Sequence, residues 1–146
     1  MYSLAQLFQG INECNTIIDS VLNSLQSINK QNVTLGQINT LIQQTSQVVD
    51  RLNNVVKLIN GAVQALPHYL SFLQGKQNQL QSSMNKVEIT IVAYNVLNYK
   101  SFQRTKNFSH WEKARYDTKT NNTINVLKSE LTSIRALLRM MERKLK

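Results

Sequence analysis

A single cysteine, a single proline and four glycines among 146 residues leave this chain with few of the devices that staple, break or turn a fold. Cys14 has no second cysteine to join, so no intrachain disulfide forms, and the compartment is reducing or simply unspecified. One cysteine and two histidines do not make the usual ligand set of a zinc site, and no metal or other cofactor is expected. A chain cut into short strands needs many turn residues, and their scarcity favours helices. No run of 18 apolar residues exists, which excludes an ordinary transmembrane helix. The start, Met1-Tyr2-Ser3-Leu4-Ala5-Gln6, lacks the basic opening and apolar core of a signal peptide.

Acidic residues are scarce as well, 8 against 17 Lys and Arg, for a net charge of +9. Most of the carboxylates stand singly on predicted helix surfaces. His110 with Asp117, and Glu112 with Arg115 or Tyr116, have the spacing of surface pairs on one helix rather than of a catalytic constellation. No phosphate-binding glycine loop, nucleophile elbow or dinucleotide fingerprint occurs, so an enzyme is not expected. Asn-x-Ser/Thr triplets at Asn32, Asn107 and Asn121 read as chance in a chain with 17 Asn.

What is present is helical periodicity. The longest stripe runs from Gly36 to Leu73 through Ile38, Leu41, Ile42, Val48, Val49, Leu52, Val55, Val56, Ile59, Val63, Leu66, Leu70 and Leu73, interrupted by Thr45. This spacing predicts a long amphipathic helix whose polar face is mostly Gln, Asn, Ser and Thr. The part before Pro67 would reach about 45 Å at 1.5 Å per residue. Pro67 kinks or restarts the helix, and the apolar face continues as far as Gly75, a candidate C-cap.

An earlier stripe, Leu4, Leu7, Phe8, Ile11, Cys14, Ile18, Val21, Leu22, Leu25 and Ile28, predicts a first helix from about Ser3 to Asn29. Cys14 falls on it as a small buried apolar residue. Gly10 is either a point of close helix approach or a tolerated defect costing about 1 kcal/mol relative to Ala. The heptad phase slips between Asn29 and Gln37, where Thr34-Leu35-Gly36-Gln37 fits a capping box. The chain turns there, or one continuous helix absorbs the slip by overwinding.

Leu80, Met84, Val87, Ile91 and Tyr94 form a third stripe. Val87 to Tyr99 is apolar almost all round, through Ile89, Val92, Ala93, Val96 and Leu97, as in a helix enclosed by others or a short central strand. Ser109-His110-Trp111-Glu112 is a second capping-box pattern. After it, Ile124, Leu127, Leu131, Ile134, Leu138, Met141 and Leu145 make a strict a/d seam.

The fold expected is all-α: three to four helices, two of them long, in one domain spanning 1–146. They form an antiparallel helical bundle or an elongated coiled-coil-like hairpin.

Charge is unevenly placed. Residues 1–85 carry four basic and three acidic side chains, net +1, whereas 86–146 carry 13 and five, net +8. Between Tyr94 and Lys119 lie six of the ten aromatic residues, interleaved with cations. Lys100, Arg104, Lys106, Trp111, Lys113, Arg115 and Lys119 are the candidate nucleic-acid contacts, since cations neutralise phosphates and rings stack on unpaired bases. The competing reading is aromatic filling at a helix corner. Ile124, Leu127, Leu131, Ile134, Leu138 and Met141 are the candidate self-association seam, with packing on the chain's own stripes as the simpler alternative.

The function expected is therefore a non-enzymatic structural or interaction protein, a helical assembly subunit. Its partners would be further copies of itself or a helical partner protein. Nucleic-acid binding through the basic half is the alternative; peripheral membrane association comes after it and is disfavoured as a partner. The uncharged, amide-rich helices with a basic end resemble in composition small structural proteins of viruses and mobile elements. The sequence leaves the location unknown; with no signal-peptide pattern or transmembrane segment, an intracellular or virion-associated one is favoured.

Overall fold

Five helical segments succeed one another without a strand among the described residues: α1 (Leu4–Ser27), α2 (Leu35–Ala65), a single 3-10 turn (Pro67–Tyr69), α3 (Leu70–Gln103) and α4 (His110–Leu145). The computed structural model describes residues 4–27, 35–65, 67–103 and 110–145, and within them all side chains except those of residues 35, 38, 62–65, 95–103 and 110–117. All four α-helices pack together as an all-α bundle, each against two neighbours in the cyclic order α1, α2, α3, α4.

Side-chain contacts fix the directions. Arg51 on α2 donates to Glu13 on α1 at 3.2 Å. Gln77 on α3 donates to Asn60 on α2 at 2.8 Å. The hydroxyls of Tyr94 on α3 and Thr120 on α4 lie 3.5 Å apart, and Arg135 on α4 donates to Asp19 on α1 at 2.9 Å. In each consecutive pair, residues before and after the connection meet symmetrically about it. The bundle is therefore up-down-up-down and antiparallel throughout.

α1 and α2 pack antiparallel as separate helices, which rules out the alternative of one continuous helix. α2 begins directly after Thr34 and α4 directly after Ser109, where the capping boxes place their starts, although the capping residues themselves lie outside the described residues.

Two expectations need correction around Pro67. The long helix does not continue past it with a bend. The chain reverses there, because Pro67 has no amide hydrogen to give to the turn before it and begins a 3-10 turn that redirects the backbone into α3. Gly75 is consequently inside α3 rather than at a C-cap, in open space. The segment 87–99 is helical. It is not enclosed, however, since Ile89 and Val92 are 69% and 62% exposed.

The core is built from the predicted stripes. Leu7, Ile11, Ile18, Leu52, Ile59, Leu80, Met84, Leu127 and Leu131 are fully buried. Thr45, the interruption in the α2 stripe, is also fully buried; its hydroxyl donates to the Leu41 carbonyl at 2.7 Å, so no polar hydrogen is left unpaired. The same i to i−4 bond occupies the hydroxyls of Thr16, Ser24, Thr40, Ser46, Thr90, Thr123 and Thr132. That local satisfaction lets a sequence so rich in hydroxyl side chains remain helical.

Gly10 proves to be a point of close approach. A Cβ built there would stand 2.6 Å from Cδ1 of Leu58 and 3.8 Å from Val55. The nearest atom is the end of a flexible side chain, so Gly10→Ala is expected to be near neutral, a rotamer shift of Leu58 offsetting the roughly 1 kcal/mol gain in helix propensity. Gly10→Leu must displace α2 itself and should cost about 1–3 kcal/mol in chemical denaturation.

Candidate functional site

The predicted site residues fall into three groups: described and exposed, described and buried, and outside the described side chains. Lys100, Trp111, Lys113 and Arg115 lie on α3 and α4 with side chains outside the described residues, and Arg104 and Lys106 fall in the connection, which is also outside them. Lys119 is exposed on α4, beside the buried Thr120. Of the candidate contacts only Lys119 has a described side chain; Tyr94, the first ring of the stretch, is buried with its hydroxyl 3.5 Å from that of Thr120.

The six residues of the candidate self-association seam are placed unambiguously. Ile124 is 1% exposed and Leu127, Leu131, Ile134, Leu138 and Met141 are 0% exposed within the single chain. They pack in the bundle core of the single chain, where α4 meets α1 and α3.

Titratable groups are dispersed. Glu13 faces Arg51 at 3.2 Å, Asp19 faces Arg135 at 2.9 Å and Glu130 faces Lys86 at 3.8 Å. These partly exposed pairs clamp α1 to α2, α1 to α4 and α4 to α3, at about 0–1 kcal/mol each. Among the described residues no group of three or more His, Cys, Asp or Glu side chains could hold a metal ion. His68 is exposed on the 3-10 turn. No helix is long and apolar enough to cross a membrane among those residues.

Cys14 is fully buried, and burial pushes its thiol up to about 12 against a weaker opposing pull from Arg51. The folded thiol stays protonated while an unfolded one ionises near 9.0. Its contribution to stability is thus whole below pH 9 and lost as pH rises from 9 towards 12, at about 1.4 kcal/mol per unit. The expected result is a decline of stability between pH 9 and pH 10 that is steeper, by about 1 kcal/mol, in the native chain than in Cys14→Ala, the unfolded thiol being only half ionised at pH 9. Denaturant titrations at both pH values measure it.

Two surfaces stand out that sequence reasoning did not single out. The first is the outer face of α3. Ser71, Gln74, Asn78, Gln81, Asn85, Ile89 and Val92 follow one another at helical spacing, all exposed and none charged. The buried row of α3, Leu80, Met84, Val87, Ile91 and Tyr94, lies on the opposite side. Gln81 donates to Asn85 at 3.0 Å along the outer face, and the two β-branched residues follow directly. The sequence marks this face only as apolar residues off the stripe. Which of them would be covered depends on the topology.

The second surface is a shallow depression of about 420 Å3 between the start of α3 and the end of α4, lined by Phe72, Lys76, Met140, Arg143 and Lys144. The Nζ atoms of Lys76 and Lys144 stand 5.6 and 6.0 Å from the centre of the Phe72 ring. Residues 68 positions apart meet here because α3 and α4 are antiparallel, and no local pattern announces that.

A groove of about 540 Å3 between the end of α1 and the start of α2 is lined by Ser24, Ser27, Thr40, Leu41 and Gln44 among others. It carries no charge, and its Ser24, Ser27 and Thr40 hydroxyls bond to their own helices. Searches of protein-family models, curated proteins and solved structures return no match to this chain.

Proposed function

We propose that this protein is a non-enzymatic helical assembly subunit whose copies associate through the outer face of α3. The observation that carries the reading is the pair Ile89 and Val92, 69% and 62% exposed at the end of an uncharged face that runs from Ser71. Two copies of a chain with net charge +9 repel one another, so contact between them has to fall where charge is absent. The outer face of α3 meets that condition from Ser71 to Val92, with Lys86 and Glu88 at its borders.

A two-fold pairing of α3 with its copy sets Ile89 and Val92 against equivalent apolar residues and the Gln and Asn side chains against one another. The sequence continues the spacing with Val96 and Tyr99. One such contact is small beside a standard interface of about 1,600 Å2, so the association is concentration-dependent rather than obligate. Its enclosed a/d core makes each subunit a finished bundle before it assembles.

Light scattering across a hundredfold range of protein concentration tests the reading. A mass rising above 16.8 kDa is expected, more steeply at high salt, where the repulsion between copies is screened. A mass of one chain at every concentration and salt would refute it.

A further inference from the structure

We infer that the depression around Phe72 is a binding site for the phosphates of single-stranded nucleic acid. Lys76 and Lys144 are both held within 6.0 Å of one aromatic ring, and Arg143 and Met140 complete the lining. Cation–π attraction positions the two ammonium groups without neutralising them. None of Lys76, Arg143 and Lys144 forms an ion pair among the described residues, in contrast to Lys86, Arg51 and Arg135. From Leu70 to Val87, α3 contains no carboxylate.

The helix dipoles account for only part of this charge. Arg143 and Lys144 occupy the last turn of α4, where positive charge complements the carbonyl end. Lys76, the seventh residue of α3, is at no carbonyl end of its own helix, so its charge is not a complement to that dipole. Three cations facing a common concavity form a site for a chain of anions rather than for one carboxylate.

The shape selects among anionic partners. A bilayer surface is met by a broad apolar helix face projecting between cations. Here the apolar face of α4, Leu138, Met141 and Leu145, is buried in the core, and the Phe72 ring lies half-buried beneath ammonium groups. A flexible phosphate backbone can follow a shallow depression, while Met140, 42% exposed, offers an apolar edge to a base. This site is separate from the aromatic-basic stretch: Phe72 and Lys100 stand at opposite ends of α3, about 40 Å apart at 1.5 Å per residue.

The test is fluorescence anisotropy of a labelled 20-mer oligodeoxythymidylate with the full chain and with K76Q/R143Q/K144Q, across a salt series. Far-UV circular dichroism confirms that the variant is folded. The variant is expected to bind at least tenfold more weakly, with a slope of log affinity against log salt reduced by about 2, as loss of three contacts at about 0.7 each requires. Parallel measurements use phosphatidylserine-containing vesicles and polyglutamate. Absence of oligonucleotide binding by the native chain, or affinity and slope unchanged in the variant, would overturn the inference. So would a triple-variant defect confined to vesicles or polyglutamate.

Discussion

Leu131→Ala is expected to lower the free energy of unfolding by about 2–5 kcal/mol, and to do so equally at low and high protein concentration. Leu131 is fully buried at the middle of the α4 seam, so truncation removes its transfer free energy and leaves a cavity that the neighbouring helices fill only in part. Against a typical total of about 5–15 kcal/mol, that is a large share. The concentration test separates two arrangements of the same seam. Within one bundle, and in the Ile89→Glu/Val92→Glu background that removes the contact through α3, the unfolding midpoint of the variant is independent of concentration. In an intermolecular coiled coil, dissociation accompanies unfolding and the midpoint rises with concentration. Urea titrations at about 1 and 100 µM distinguish them, and Ile134→Ala should behave in the same way.

Much of the fold is legible in the sequence because its main force is periodic. Leu7, Ile11, Cys14, Ile18, Val21, Leu22 and Leu25 repeat at helical spacing, and each is buried. The a/d seam of α4 is likewise buried residue for residue from Ile124 to Leu145. What such a pattern leaves open is which face meets which. Pro67 could bend the chain or reverse it, since the loss of one backbone donor permits either, and the packing of α2 on α3 selects reversal. Leu58 was outside the α2 stripe and is nevertheless 6% exposed, because the close approach at Gly10 brings α1 over it.

The candidate surfaces were less legible for the same reason. Phe72 reads locally as a member of an apolar stripe, and Lys144 as a cation answering a helix dipole. Their meeting follows from the pairing of α3 with α4, a long-range outcome that composition and spacing do not encode locally. Ile89 and Val92 illustrate the converse. Apolar side chains on both sides of α3 suggest a helix enclosed on all sides, but a four-helix arrangement supplies each helix with only two neighbours and leaves its outer face open.

Ile89→Glu/Val92→Glu is expected to weaken association about a thousandfold while leaving the monomer folded. Both side chains are more than half exposed in the isolated bundle, so replacing them removes little buried surface, and glutamate is the better helix former than either residue. Thermal or urea midpoints of the dilute protein should move by no more than about 0.5 kcal/mol, the usual range for exposed positions. In the two-fold contact the double substitution acts on four side chains. At about 1 kcal/mol for each apolar group no longer covered, the sum is about 4 kcal/mol, or three orders of magnitude in the dissociation constant. Like charges brought face to face across the two-fold axis act in the same direction. Sedimentation equilibrium of the native and substituted chains at matched salt measures the difference. If substituted and native chains associate equally, the contact between copies lies elsewhere on the bundle. The pair Gln74→Glu/Asn78→Glu, on the same face but about 20 Å along it from the apolar centre, should have a much smaller effect, because no large apolar side chain is uncovered there.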